Sequence, residues 1–242
     1  MSVTGTTYEA TLYAPLFYAS SEGRTVETQP ILSATALGHA LGYEYLDLEK
    51  RYVDRGVDAT TPDYERLAGL PLFVSDMTPV SVQTSERTLR GTAYSTERRI
   101  TTTDEDLGRQ IGSGKGVPDR AGRSMSGWHR VRKYTGLAPG STYRFTVWTP
   151  ADVDLPDTLR FRMGIRRTGE FTARRTERSS RVILNKYLLT EAYDDPFDHA
   201  ALVTAADRFQ RGNDPRLHHF VGVPRSFVED DHLATLATLV ET

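Results

Sequence analysis

From Leu159 to Arg166 the chain reads Leu-Arg-Phe-Arg-Met-Gly-Ile-Arg. Successive side chains of a strand point to opposite faces, so Leu159, Phe161, Met163 and Ile165 share one side while Arg160, Arg162, Gly164 and Arg166 share the other. One face is core and the other an arginine ladder, so the chain must build a sheet around it. Thr142 to Thr149 obeys the same rule, with Tyr143, Phe145 and Val147 set against Arg144, Thr146 and Trp148. Further extended segments are expected at Tyr8 to Ala14 ahead of Pro15, Leu70 to Met77, Pro79 to Thr84, Phe171 to Arg175 after the Thr168-Gly169 turn, and the apolar run Arg181 to Leu189.

Three helices are expected among these strands. The first begins at Thr28 or Gln29 with Pro30 in its first turn, carries Ala34, Leu37 and Leu41 on one face, and ends near Gly42. The second opens at Asp195-Pro196 and runs to about Arg211, its Asp198 and its Arg208 and Arg211 matched to the helix dipole. The third starts at a capping box of Ser226 and Glu229 and carries Leu233, Leu236 and Val240. The economical description is one α+β domain over residues 1–242, with 190–242 as its C-terminal helical part.

Between Thr84 and Val131 the periodicity fails. A glycine-rich loop (Gly108 to Gly116), a Pro118-Asp119 turn and a polar loop (Arg120 to Ser126) follow one another. Connections of that length inside a compact domain are functional or mobile, so residues 85–134 read as an extended hairpin inserted in the domain. Charge marks the same region. Net charge is -2 from 30 Lys+Arg against 32 Asp+Glu, yet Arg87 to Arg181 holds 20 cations and 10 acids, leaving 10 and 22 elsewhere. A basic stretch within an acidic frame points to a polyanion docked on one face.

Other chemistries are excluded or weakly supported. With Cys 0, disulfide scaffolds, Cys-ligated zinc, iron-sulfur clusters and thiol catalysis are ruled out. No run approaches 18 apolar residues, so a membrane span is not expected, and a cytoplasmic location is compatible. Gly112-Ser-Gly-Lys-Gly116 lacks the second glycine and the hydroxyl of a phosphate-binding loop, as well as the preceding strand and following helix. Asp194, Asp195, Asp198 and His199 are accounted for by a helix start, and His218-His219 lack the spacing and third ligand of a zinc site.

Two constellations remain. Trp128 to Tyr134 combines His129, the cations Arg130, Arg132 and Lys133, and two aromatic faces, which suits RNA binding by stacking and phosphate contact or metal-independent cleavage. The second is the ladder Arg160, Arg162, Arg166, Arg167, joined after the turn by Arg174 and Arg175. Outward positions on a strand lie about 6.6 to 6.8 Å apart, comparable to neighbouring phosphates of an extended strand, and guanidinium groups hold phosphates bidentately. Gly164 leaves a gap where a backbone approaches closely.

Pro15-Leu-Phe-Tyr-Ala-Ser-Ser-Glu-Gly23, then Glu27-Thr-Gln-Pro30 and the helix Ile31 to Leu41 containing Ala36-Leu37 and Ala40-Leu41, closely resembles the N-terminal signature of the small RAMP-superfamily subunit of type I-D CRISPR effector complexes. Leu159 to Arg167 is similar to the family's alternating strand ending in glycine and basic residues, with Ile165 where a lysine is common. The resemblance implies a ferredoxin-like (RRM-like) core with a β-hairpin thumb formed by the basic insertion. It implies a non-catalytic subunit that needs no cofactor or metal and caps the 5′ handle of the guide crRNA. It also implies contact with the backbone and large subunits and with target DNA near the protospacer-adjacent motif (PAM). The candidate RNA contacts are Tyr18, Ser20 and Ser21 near the first signature; Arg98, Arg99, Lys115, Trp128, His129, Arg130, Arg132 and Lys133 in the insertion; and the arginines of the ladder. Two alternatives stay open: a metal-independent endoribonuclease acting through His129, Lys133 and Tyr134, as in relatives of another subtype, and a protein-only adaptor whose basic face docks an acidic subunit.

Overall fold

The computed structural model describes residues 2–17, 25–27, 30–49, 63–92, 129–164, 167–206 and 219–241, with the backbone path alone at 25–27, 87–92 and 129–134. The first half of the chain forms β1 (Val3–Leu12), β2 (Thr25–Glu27), α1 (Ala34–Tyr45), α2 (Glu65–Ala68), β3 (Phe73–Val74), β4 (Thr78–Ser81) and β5 (Thr84–Thr92). Then come β6 (His129–Leu137), β7 (Thr142–Pro150), β8 (Thr158–Met163), β9 (Gly169–Arg175) and β10 (Arg181–Asn185). The remainder is α3 (Lys186–Tyr193), α4 (His199–Ala205), β11 (Phe220–Pro224), a π-helical turn (Phe227–Asp231) and α5 (Leu233–Val240).

The chain divides into two compact units. The first comprises Met1–Tyr18, Gln29–Thr84 and Leu137–Thr242; the second comprises Ala19–Thr28 and Ser85–Gly136. In the second, β6 lies between β2 and β5, with β2 parallel to β6. Residues 93–128 of the expected insertion lie outside the described residues.

The first unit is built on an antiparallel sheet of order β3-β7-β1-β9-β8, with β4 also paired to β7. The alternation read from sequence decides its faces. Tyr8, Ala10 and Leu12 of β1, Tyr143, Phe145 and Val147 of β7, Leu159, Phe161 and Met163 of β8, and Phe171 and Ala173 of β9 are buried in one core. That core is closed by Leu37 and Leu41 of α1, which packs on β8. Aromatic rings fill its centre, with Phe161 and Phe171 stacked at 5.3 Å between centroids.

The opposite face is covered only in part. At its β1–β7 end, Trp148 packs into a second core with Val182 and Leu184 of β10, Val223 of β11, and Phe227, Leu236 and Leu239. The β10–β11 pair is antiparallel, so the 190–242 segment is not wholly helical: it contributes a strand.

Several expected boundaries move, each for a local reason. The first helix starts later than Thr28 or Gln29, because Leu32 is held extended by paired backbone bonds to Met77 (3.3 and 2.9 Å) and Ser33 is the N-cap, accepting from the Thr35 amide. The run Arg181 to Leu189 splits at Asn185, whose side chain accepts from the Leu188 amide and starts α3. Asp194 and Asp195 take left-handed backbone angles (φ 53 and 50), so the next helix is capped by Asp198 instead of opening at Asp195. Its expected end near Arg211 lies outside the described residues. Ser226 makes no capping bond, and Glu229 is engaged elsewhere.

A buried carboxyl ties α1 to the sheet. Asp76 is fully buried; its Oδ1 accepts from the Ala34 amide (2.5 Å) and from Asn185 Nδ2 (3.3 Å), while Oδ2 has no partner among the described residues. Burial raises its pKa from 3.8 to about 8, against the opposing pull of those two hydrogen bonds. The folded state therefore binds the proton more tightly than the unfolded chain, and the stability this confers, full below about pH 4, is lost as pH rises through about 8. Urea denaturation across this range is expected to show stability falling by up to about 1.4 kcal/mol per pH unit relative to the Asp76→Asn variant, which is neutral throughout. Parallel pH curves for the two proteins would refute a buried neutral Asp76.

Candidate nucleic-acid interface

The turn between β8 and β9 is where distant parts of the chain converge. Gly164 sits at φ +85, and Arg167, at φ 53, returns its amide to the Gly164 carbonyl (2.9 Å). A Cβ on Gly164 would lie 2.2 Å from Leu16 Cδ1 and 2.9 Å from the Phe17 carbonyl oxygen; one on Gly169 would lie 2.6 Å from the same Leu16 carbon. The close approach that Gly164 permits is thus made by the chain's own residues 16 and 17. Leu16 is fixed in turn by paired backbone bonds with Leu137 (3.0 and 2.9 Å).

Two tyrosines from the end of α1 complete the junction. The Arg167 guanidinium lies 4.2 Å from the centre of the Tyr43 ring, a cation–π contact. Tyr45 Oη accepts from the Arg160 amide (2.6 Å) and donates to the Arg160 carbonyl (3.2 Å). Since β8 is an edge strand, these bonds occupy backbone groups that would otherwise be open to another chain.

The ladder is reordered by strand register. Arg160 and Arg162 are exposed on the face opposite the core, as the alternation requires. Arg162 pairs with Glu170 across the hairpin at 2.7 Å, both groups well exposed. Arg174 joins that face, in register with Glu9 and Thr158, and the Glu9 carboxylate is taken by Arg144 at 2.7 Å. Arg175, one residue on, points the other way and pairs with Asp157 (3.0 Å) and Asp154 (3.6 Å), so it leaves the ladder. Arg160 and Arg174 make no ion pair among the described residues.

Of the other candidates, His129, Arg130, Arg132, Lys133 and Tyr134 all fall on β6, with Lys133 in register with Thr25 and Tyr134 with Val26. Tyr18, Ser20, Ser21, Arg98, Arg99, Lys115, Trp128 and Arg166 lie outside the described residues. Three participants escaped sequence reading: Tyr43 and Tyr45, and Tyr13, which continues the outward parity of Glu9 and Thr11. The parity of Tyr13 was legible; the tyrosines of α1 carried no signal, because their partners are more than a hundred residues away. Among the described residues no three His, Cys, Asp or Glu are grouped to hold a metal, and no helix is long and apolar enough to cross a membrane.

The family model of the type I-D CRISPR-associated protein Cas5/Csc1 matches residues 4–202. No curated protein matches the chain. Among solved structures, a chain of the cryo-EM structure of the type III-B Cmr-beta bound to cognate target RNA and AMPPnP aligns over 97% of this chain and 93% of its own, at 11% identity and a TM-score of 0.39.

Proposed function

Since the chain belongs to the type I-D Cas5/Csc1 family of CRISPR-associated proteins, as its resemblance to the small type I-D subunit implied, we propose that it is the non-catalytic crRNA-binding subunit of a type I-D interference complex. It holds the 5′ handle of the guide RNA in the cytoplasm and joins the backbone and large subunits near the PAM end of target DNA. In this reading the first unit is a ferredoxin-like RAMP core and the second supplies the thumb.

The observation that carries the proposal is the junction at Leu16. The two stretches that carried the family resemblance are about 150 residues apart, yet Leu16 of the first rests on Gly164 within the second and on Gly169 just past its end. Beside that contact lies a polar sheet face with guanidinium groups at Arg160, Arg162 and Arg174. Guanidinium groups supply phosphate neutralisation, and single-stranded RNA is recognised by stacking and by contacts to splayed bases.

The test is a salt titration of handle-RNA binding by the purified protein and its Arg160→Ala/Arg162→Ala variant. The variant is expected to bind more weakly and to lose about 1.4 from the slope of log affinity against log salt, about 0.7 for each phosphate contact to a single strand. In EDTA, repeat RNA is expected to stay intact. An unchanged slope would remove these arginines from the interface, and cleavage abolished by His129→Ala would establish the endoribonuclease instead.

A further inference from the structure

The open part of the sheet carries an aromatic residue that neither the family signature nor the arginine pattern singles out. Tyr13 is 61% exposed, on the same face as the ladder. Its amide donates to the Glu170 carbonyl (2.8 Å), extending the β1–β9 register by one residue, and Glu170 in turn faces Arg162. Tyr13, Glu170 and Arg162 therefore form one row across three strands. Thr11, Thr172 and Arg160 form the next, and Glu9, Arg174 and Thr158 the third.

Neighbouring strands lie about 4.8 Å apart and rows about 6.7 Å apart, so the backbones of Tyr13 and Arg162 are about 10 Å apart along their row. Charge on this face is not balanced. Among the described residues Glu170 is taken by Arg162 and Glu9 by Arg144, which leaves as surplus cations Arg160, at the end of the threonine row, and Arg174, in the row beyond it. A polar surface with surplus guanidinium groups and an exposed aromatic ring complements an unpaired nucleotide, whose base has an apolar face and whose phosphates are anionic.

We propose that Tyr13 is a stacking platform for one splayed base of the bound RNA, with phosphates on either side of that nucleotide reaching Arg160 and Arg174. The assignment rests on the guide-RNA reading and names a subsite within it. Stacking on a ring needs its π face and not its hydroxyl, so the subsite tolerates any base and tolerates phenylalanine.

The test is handle-RNA affinity by fluorescence anisotropy for Tyr13→Ala, Tyr13→Phe and Arg174→Ala, with photocrosslinking of handle RNA bearing 5-bromouridine and mass spectrometry of the adduct. Tyr13→Ala is expected to weaken binding about 5- to 150-fold, the span measured for loss of one stacked base, with Tyr13→Phe within about twofold of the native protein and the crosslink on Tyr13. Because Tyr13 is exposed, thermal melting of the variants reports whether folding is preserved. Undiminished affinity of Tyr13→Ala alongside a weakened Arg160→Ala/Arg162→Ala variant would overturn the stacking subsite and leave the guide-RNA reading standing. Undiminished affinity in all variants would overturn both. Loss of a protein partner from the assembled complex with RNA affinity intact would make the face a protein contact and also overturn the proposal.

Discussion

Glu229→Ala is expected to destabilise the protein by about 3–5 kcal/mol, the cost of leaving a buried charge without its partner. Arg225 is 3% exposed, and its guanidinium donates to Glu229 Oε1 (2.5 Å), to Thr7 Oγ1 (2.6 Å) and to the Gly5 carbonyl (2.6 Å). Glu229 Oε1 also accepts from Trp148 Nε1 (2.8 Å), and its other oxygen pairs with Arg178. Burial lowers the Arg225 pKa, and the nearby Arg178 adds to that effect, while Glu229 opposes both. Without Glu229 a buried cation and a buried indole N–H lose their acceptor together. Arg178→Ala removes only an exposed member of the network and is expected to cost at most about 1 kcal/mol. Urea denaturation of the two variants separates the cases; a Glu229→Ala protein as stable as Arg178→Ala would show that the network does not anchor the C-terminal segment to β1 and β7.

Gly164→Ala is expected to cost roughly 2–5 kcal/mol, combining a left-handed backbone that disfavours a Cβ with overpacking against Leu16. The clash with the Phe17 carbonyl at 2.9 Å involves backbone, which cannot rotate away. Gly169 does not have a left-handed backbone, so Gly169→Ala is expected to cost less, although its Cβ would lie 2.6 Å from Leu16 Cδ1 and 2.9 Å from Leu16 Cβ. Pairing Gly164→Ala with Leu16→Ala is expected to be less destabilising than the sum of the two, since the truncated side chain makes room for the new methyl group. Additive free energies from denaturation would show that residue 16 and the β8–β9 turn are not coupled. On the proposed guide-RNA reading, Gly164→Ala is also expected to weaken handle affinity with every arginine still present.

The strands at Leu159 and Tyr143 were legible because a period of two is a property of the chain's own geometry, and both appear with the expected buried residues, save Ile165, which lies outside the described residues, β8 ending at Met163. The fate of Glu229 was not legible. Spacing offers it to Ser226 as a capping box, but a buried guanidinium four residues earlier and an indole N–H from β7 bind it in a low-dielectric setting where a charged pair outweighs an amide bond. The α1 start shows the same limit. Pro30 is a sound helix-start signal, yet Leu32 is claimed by Met77, a partner that no local window contains.

By itself the sequence determined that the chain builds a mixed α+β fold with a strand buried on one face and lined by arginine on the other, that its basic residues concentrate in the middle, and that it resembles the type I-D family. These follow from alternation, composition and motif, which are properties of neighbours in the chain. Only the tertiary structure decided that Arg174 lies beside Glu9 while Arg175 pairs with Asp157 and Asp154, that Gly164 accommodates Leu16 and Phe17, and that Tyr13 shares a row with Glu170 and Arg162. Those outcomes depend on register between strands and on which distant groups are buried together, and hydrogen bonding and close packing settle such pairings only once the whole sheet is assembled.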